Sequence, residues 1–391
     1  MIVQIRKSFK YRIYPTKSQV SNLENQFSMC RHLYNQALNE RKDAYENESC
    51  SITYNQQQNQ LPAYKVEKPW YKGVHSQVLQ DVLKRLDKGF QAFFRRIKNG
   101  ETPGYPKFKK RGQWNSITYP QHQAPPAATI TVPKIGNVKL VHHREIPKDS
   151  KIKTLTITKE ADKWFACFSV EHPLDIELKQ DLSTAVGIDL GLIDFYYASD
   201  GSQISVPKYL RKKEKQLQRL QQRLSKAKKR SPKYYKILKA LQKCHCRIKC
   251  RRNDFLHKTA NDLLGKGNVI FHEDLKINNM IRRPKPKQDE ETGVYLPNNA
   301  CAKAGLNKSI ADAGWGMFLN ITSYKAIEIG KKIFAVPPHY TSQKCSNCGE
   351  IVKKSLSTRT HRCPCGFVAN RDHNAALNIL RIGMDTLQAS A

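Results

Sequence analysis

The chain opens on an alternation of apolar side chains, Val3, Ile5, Phe9, Tyr11 and Ile13, which predicts a strand stopped by Pro15-Thr16. Thr16 suits a helix N-cap, and Leu23, Phe27, Cys30, Leu33, Tyr34 and Leu38 then recur at helical spacing. Residues 49–72 are polar, with Gln56–Gln58 and Pro62, and are expected to form a loop or irregular link. Val78, Val82, Leu86, Phe90, Phe93 and Phe94 predict a second helix, ended by Gly100, Pro103, Gly104 and Pro106. Across 105–180 the period falls to two. Short apolar runs at 129–132, 138–140, 154–157 and 164–170, separated by Pro, Gly and Lys-Glu turns, predict a small β-barrel or sandwich. The first strand is a candidate member.

The pattern changes again after residue 184. Residues 185–190, 193–198 and 203–206 read as three strands joined by Gly191 and Asp200-Gly201, a β-meander. Residues 208–260 are helical. Leu210, Leu217, Leu220 and Leu224 form one stripe, Ile237, Leu238 and Leu241 another, and Ser231-Pro232 splits them into an antiparallel pair. Residues 268–275 predict a buried strand ending in carboxylates. Residues 281–308, with Pro284, Pro286 and Pro297, are expected to be a mobile loop, followed by a helix over 309–331 and a strand over 333–336. A last helix is expected over 372–382. No internal repeat is evident.

Charge narrows the partner. The chain has 391 residues, enough for two or three domains, and 68 Lys and Arg against 33 Asp and Glu, a formal net charge of +35. A compact body so charged repels itself unless a polyanion neutralises it, and each neutralised phosphate of a nucleic acid releases a counterion. The charge is concentrated: residues 208–258 hold 20 Lys and Arg against Glu214 and Asp254 alone. Helices of one sign are nucleic-acid candidates, and Lys212, Lys213, Arg219, Arg223 and Arg230 are the expected contacts. Lys107, Lys109 and Lys110 beside Tyr105 and Phe108 form a second candidate patch, or a basic loop capping the barrel. No run of 18 apolar residues and no signal-peptide core is seen, so a soluble, cytoplasmic, nucleoid-associated protein without membrane contact is expected.

The 11 cysteines are odd in number, which argues against a disulfide framework. Cys345-Ser-Asn-Cys348-Gly and Cys363-Pro-Cys365-Gly, 14 residues apart, have the form of a zinc ribbon. Four thiolates satisfy tetrahedral zinc, and each glycine permits the knuckle turn. Such a closed site is structural. The alternative is four reduced structural cysteines or a redox pair. The grouping Cys244-His-Cys246 with Cys250 lies within a predicted helix, points to different faces, and is a poor metal site.

Three acids stand out. Asp189 lies in an apolar strand, where an unpaired charge is costly. Glu273 ends another apolar strand, and Asp372 opens the last helix. Carboxylates converging across a sheet can hold two hard cations for phosphodiester chemistry. Alternatively, Asp372 is a helix N-terminal charge and Glu273 a surface residue at a strand end.

These residues carry a resemblance that runs along nearly the whole chain. Tyr14-Pro15-Thr16 with Gln19, Cys30-Arg31 with Tyr34-Asn35, the segment 104–109 (GYPKFK), 187–191 (GIDLG), His257-Lys258 and 273–275 with Met280 belong to it. So do Trp315, 336–338, 340–343, the cysteine ribbon, and Asn370-Arg-Asp372 with 374–376. Together they resemble the TnpB (OrfB) proteins of insertion sequences, relatives of the type V CRISPR nucleases. The resemblance implies a multidomain α/β protein: a β-barrel wedge (1–14 and 104–182), a helical recognition region (15–103), an RNase H-like (RuvC) nuclease domain (183–340 and 369–391) and an inserted zinc ribbon (341–368). It implies that Asp189, Glu273 and Asp372 hold Mg²⁺ or Mn²⁺, and that Cys345, Cys348, Cys363 and Cys365 hold Zn²⁺. It also implies an RNA-guided DNA endonuclease, a monomer per guide RNA, that reads a short motif beside its double-stranded target. Base pairing then supplies specificity and the protein a broad positive channel. The Cys-x-Cys knuckle and the long 282–300 stretch depart from the family pattern. Other readings are an RNA-guided regulator without cleavage, a transposase or transposition accessory acting without RNA, and a non-catalytic zinc-ribbon protein.

Overall fold

The computed structural model describes residues 2–123, 128–177, 181–355 and 357–389. Segments 124–127 and 178–180, inside the stretch expected to form strands, lie outside them. The chain divides into two compact units, 2–174 and 175–391.

In the first unit, strand β1 (Ile2–Tyr14) leads into helix α1 (Lys17–Glu48). Thr16 and Gln19 form a reciprocal capping box: the Gln19 backbone N–H donates to Thr16 Oγ1 at 3.3 Å, and the Thr16 N–H donates to Gln19 Oε1 at 3.0 Å. The expected loop at 49–72 is instead helical. Thr53 and Gln56 repeat the capping box and start α2 (Tyr54–Asn59). Pro62 starts α3 (Leu61–Glu67) from its first turn, where the missing N–H has no partner to lose. Polar composition misled here because these helices expose most of their surface. Gln57 and Leu61 are their buried residues, and Gln57 donates to Ala37 O at 2.9 Å and accepts from Arg41 Nε at 2.8 Å. Helix α4 (Ser76–Lys98) packs its Val78, Leu79, Val82, Leu83 and Leu86 face inward.

Strands β2 (Ser116–Tyr119), β3 (Thr129–Val132), β4 (Gly136–Val141), β5 (Lys151–Glu160) and β6 (Lys163–Asp175) follow. With β1 they form one six-stranded sheet in the order β2-β5-β6-β1-β4-β3. The opening strand thus joins the sheet, and its Phe9, Tyr11 and Ile13 share a core with α1 and α4.

The second unit is built on a five-stranded sheet, β13-β10-β7-β8-β9. Strands β7 (Ala185–Leu190), β8 (Asp194–Ala198) and β9 (Gln203–Ser205) form the antiparallel meander. Helices α5 (Tyr209–Ser225) and α6 (Pro232–Lys266) then pack against each other. Ser231 caps α6 by accepting from Tyr234 N at 3.1 Å, and Pro232 occupies its first turn. They carry the chain to β10 (Val269–Glu273), which pairs parallel with β7.

Beyond β10 come the short helix α7 (Ile277–Met280) and a hairpin of β11 (Lys287–Gln288) with β12 (Tyr295–Leu296), then α8 (Ala300–Ala313) and α9 (Trp315–Glu328). The expected loop at 281–308 is therefore a hairpin followed by helix. The expected helix at 309–331 is two helices, parted at Gly314, whose φ of 75° ends α8 in a left-handed cap. Strand β13 (Lys332–Val336) pairs parallel with β10. The hairpin β14 (Thr360–Arg362) and β15 (Val368–Asn370) precedes the last helix, α10 (Arg371–Gln388), which is longer than expected. The whole is a multidomain α/β protein. Among the described residues, no helix is long and apolar enough to cross a membrane.

Candidate functional site

Backbone register sets two of the three acids side by side. His272 of β10 pairs with Ile188 of β7, so the next residue on each parallel strand is Glu273 and Asp189. Asp372 enters from α10, whose first turn is set by Asn370: its Oδ1 accepts from the Asp372 N–H at 2.8 Å. Helix α10 can lie against β7 only because residue 187 is glycine. A Cβ there would stand 2.4 Å from Ala376 O and 2.6 Å from Leu380 N. Further along, Gly383 leaves the space taken by the Phe271 ring of β10, which would come within 2.2 Å of a Cβ.

The three carboxylates raise one another's cost of ionising, although among the described residues their oxygens do not gather within 4.8 Å as the ribbon sulfurs do. Burial pushes the Asp189 carboxyl well above the usual carboxylate range, and the neighbouring Glu273 and Asp372 add to the rise while Arg371 opposes it. Burial also raises Glu273, against a hydrogen bond from the Thr341 hydroxyl. All three acids nevertheless keep part of their surface open to solvent. Arg359 approaches Asp372 at 3.8 Å. Tyr197, the cross-strand partner of Asp189, lies against the His373 ring, tilted by 30° with 5.2 Å between ring centroids.

A second set of residues holds this arrangement in place. Asn378, 1 % exposed, donates from Nδ2 to Thr341 O at 2.8 Å and Lys344 O at 2.7 Å. Asn374, wholly buried, donates to Lys344 O at 2.8 Å and accepts from Ser346 N at 3.0 Å. Segment 341–346 is thus hung on the helix that bears Asp372, and it carries both Thr341, which touches Glu273, and Cys345. Sequence reading assigned no role to Thr341, Asn374 or Asn378. The available signal was a pair of amides one helical turn apart in an otherwise amphipathic helix.

The four ribbon cysteines converge: their sulfurs all lie within 4.8 Å of one another, with Cys345–Cys365 at 3.8 Å and Cys348–Cys363 at 3.5 Å. Gly349 and Gly366 follow the two knuckles at φ of 85° and 87°, a left-handed backbone that glycine adopts without strain. The Phe367 backbone N–H draws the Cys365 thiol down to about 6. The set can hold a metal ion. Cys244, Cys246 and Cys250 join no such cluster among the described residues.

The predicted basic contacts are surface residues. In the first unit Lys107 is exposed. Lys109 is half-buried, with its ammonium 5.5 Å from the Tyr34 ring and its backbone clamped by Asn35, which accepts from its N–H at 2.7 Å and donates to its carbonyl at 3.0 Å. In the second unit Lys212, Arg219, Arg223 and Arg230 are exposed, and Lys213 is half-buried. Lys212 and Lys213 line a small cavity of about 80 Å³ with Arg247 and Arg251.

Sequence comparison gives the class, a transposon-type protein of the OrfB kind. Family models described as "Cas12f1-like, TNB domain", "Probable transposase" and "Helix-turn-helix domain" match residues 315–379, 166–283 and 1–50. Despite the last description, residues 2–48 form one strand and one long helix. The chain belongs to the TnpB (OrfB) family. It is 32 % identical over 383 residues to "Putative RNA-guided DNA endonuclease InsQ" of Escherichia coli (strain K12), covering 96 % of this chain and 92 % of that one. It is 29 % identical to a "Putative RNA-guided DNA endonuclease" of Streptomyces pristinaespiralis, over 98 % and 91 % of the two chains. Its fold resembles that of the protein in the cryo-EM structure of the Cas12f1-sgRNA-target DNA complex, with a TM-score of 0.53 at 13 % identity over 96 % of this chain and 99 % of that one.

Proposed function

We propose that the protein is an RNA-guided DNA endonuclease of an insertion sequence, cutting DNA at Asp189, Glu273 and Asp372. The observation that carries this reading is the placing of Asp189. A carboxylate built into an apolar strand beside two more carboxylates repels them and resists ionising, so the site costs stability until cations enter it. When bound there, divalent ions such as Mg²⁺ or Mn²⁺ supply activation of the attacking water and stabilisation of the leaving oxygen in phosphodiester hydrolysis. The chain's own part is positional. Adjacent strands fix Asp189 and Glu273, Thr341 orients Glu273, and the Asn370 cap sets Asp372.

The second unit is then an RNase H-like, RuvC-type nuclease domain, with the sheet as its core and residues 341–368 as an inserted ribbon. The first is a β-barrel wedge (1–14 and 104–182) carrying a helical recognition region (15–103). Zinc is the ion for the ribbon: four thiolates at Zn–S of about 2.3 Å place sulfurs roughly 3.8 Å apart, close to the spacings seen. Such a site is closed and structural. The one-signed helices α5 and α6 supply phosphate contacts through Lys212, Lys213, Arg219, Arg223 and Arg230, as do Lys107 and Lys109 in the first unit. The partners are a guide RNA and a double-stranded DNA target, in the cytoplasm at the nucleoid, with one protein chain per RNA.

The test is to purify the chain after co-expression with its native flanking DNA, sequence the RNA that accompanies it, and offer matching DNA. The reading expects a defined RNA and cleavage in Mg²⁺ that stops in EDTA. Cleavage that survives complete removal of RNA would replace it with a transposase acting alone.

A further inference from the structure

The first unit holds two cavities that the cleavage chemistry does not use, and they share a wall at Tyr105. One is an aromatic groove of about 800 Å³ between the end of α1 and the outer face of α4. Its sides are Phe90, Phe93, Phe94 and Tyr105, packed ring to ring. Phe93 and Phe90 meet Tyr105 at 5.4 and 5.5 Å, and Phe93 meets Phe94 at 5.2 Å. Phe94 is 60 % and Tyr45 66 % exposed, a cost to a soluble chain that no packing within the first unit relieves. The other cavity, about 550 Å³, is lined by Arg85, Lys107 and Lys109 with Tyr34 and Trp114. Lys109 and Arg85 stand over aromatic rings there, and the Asn35 clamp fixes the backbone that presents both lysines.

An apolar slot walled by aromatic faces and a cationic hollow, divided by one tyrosine, match the two halves of a nucleotide: a flat base and its phosphate. A second copy of the chain fits less well, because it would bring its own lysines against Lys107 and Lys109. A base paired in a duplex keeps its faces stacked on its neighbours, so the occupant must be unpaired.

We infer that the two cavities form one docking site for an unpaired nucleotide of RNA, its base held against the Phe94 and Tyr105 rings and its phosphate over Lys107 and Lys109. This rests on the reading of the chain as an RNA carrier, and it assigns that RNA a single-stranded contact on the first unit.

The test uses the full chain, freed of nucleic acid in high salt, with three fluorescent probes: a 12-nucleotide oligouridine, oligothymidine of the same length, and an RNA duplex. Phe94→Ala and Tyr105→Ala should each weaken oligouridine about tenfold, as loss of one stacked base does, with an unchanged salt slope. Lys107→Ala should instead flatten the slope by about one contact. Duplex binding should not respond to the aromatic substitutions. Phe94 is exposed enough that its variant's thermal melt should match the parent, and photocrosslinking of 4-thiouridine RNA to the Tyr105 peptide gives a readout independent of affinity. Unchanged oligouridine affinity in both aromatic variants, an equal loss for the duplex, or a loss confined to oligothymidine would each overturn the assignment. RNA-dependent cleavage by the parent chain is measured alongside. If it persists while the aromatic variants are silent, only this site falls; if it is absent, the guided-nuclease reading falls with it.

Discussion

Gly187→Ala is the smallest change that should dismantle the candidate active site without touching an acid. The added Cβ meets Ala376 O at 2.4 Å, whereas ordinary contact begins at 3.4 Å, so α10 must retreat by about 1 Å. Its obstacles are backbone atoms of α10, which cannot rotate aside. Ala376 lies one helical turn beyond Asp372, so the acid retreats with the helix while Asp189 and Glu273 stay on their strands. A 1 Å misplacement of reacting groups costs on the order of 100-fold in rate. The overpacking itself costs roughly 1–3 kcal/mol of stability. The assay is single-turnover cleavage of matched DNA by the RNA-loaded protein, at a temperature where melting curves show the variant folded. Gly265→Ala is the control: it lies in α6 with open space around it, so it should leave cleavage unchanged and slightly raise stability. Near-parental cleavage by Gly187→Ala would mean that close packing of α10 does not position the site.

Asn378→Ala strips the Thr341 carbonyl of a buried donor and leaves the Lys344 carbonyl with Asn374 alone. It should cost about 1–3 kcal/mol in denaturant melts and slow cleavage through Thr341 and Glu273 while RNA affinity holds. Elemental analysis should find one zinc per chain, absent from Cys363→Ser, and chelation should lower the melting temperature. Asp189 gives the pH dependence. Its folded pKa is raised, so its neutral form contributes stability that is complete below the ordinary carboxylate range and is lost as pH rises through the raised value. Metal-free melting temperature should therefore fall with rising pH over that window, and Asp189→Asn should flatten the fall and melt higher than the parent in EDTA at neutral pH. A lower-melting Asp189→Asn would contradict this account of the site's electrostatics.

What could be read in the sequence follows from where local signals are strong. The period of two in β1 and the stripes of α5 and α6 came through because each element presents one apolar face. The place of Asp189 in a strand and the grouping of the paired cysteines came through because apolar runs and repeated knuckle spacings are strong local signals. Residues 49–72 misled because α2 and α3 are capped, solvent-facing helices whose stability comes from Thr53, Gln56 and Pro62 rather than from an apolar stripe. Residues 300–308 misled for the same reason, since α8 is mostly exposed over its first half. Thr341 and Asn378 were illegible as site residues because their partners are backbone carbonyls and a carboxylate distant in sequence, and only the fold brings these together.

The most direct test of the central claim is guided cleavage by Asp189→Ala, Glu273→Ala and Asp372→Ala, each purified with its RNA and assayed in Mg²⁺. The account predicts that all three carry RNA and bind matched DNA as the parent does, and that none cuts it. Cleavage at the parental rate by any of the three would remove that residue from the metal site, and parental cleavage by Asp189→Ala would refute the site as a whole.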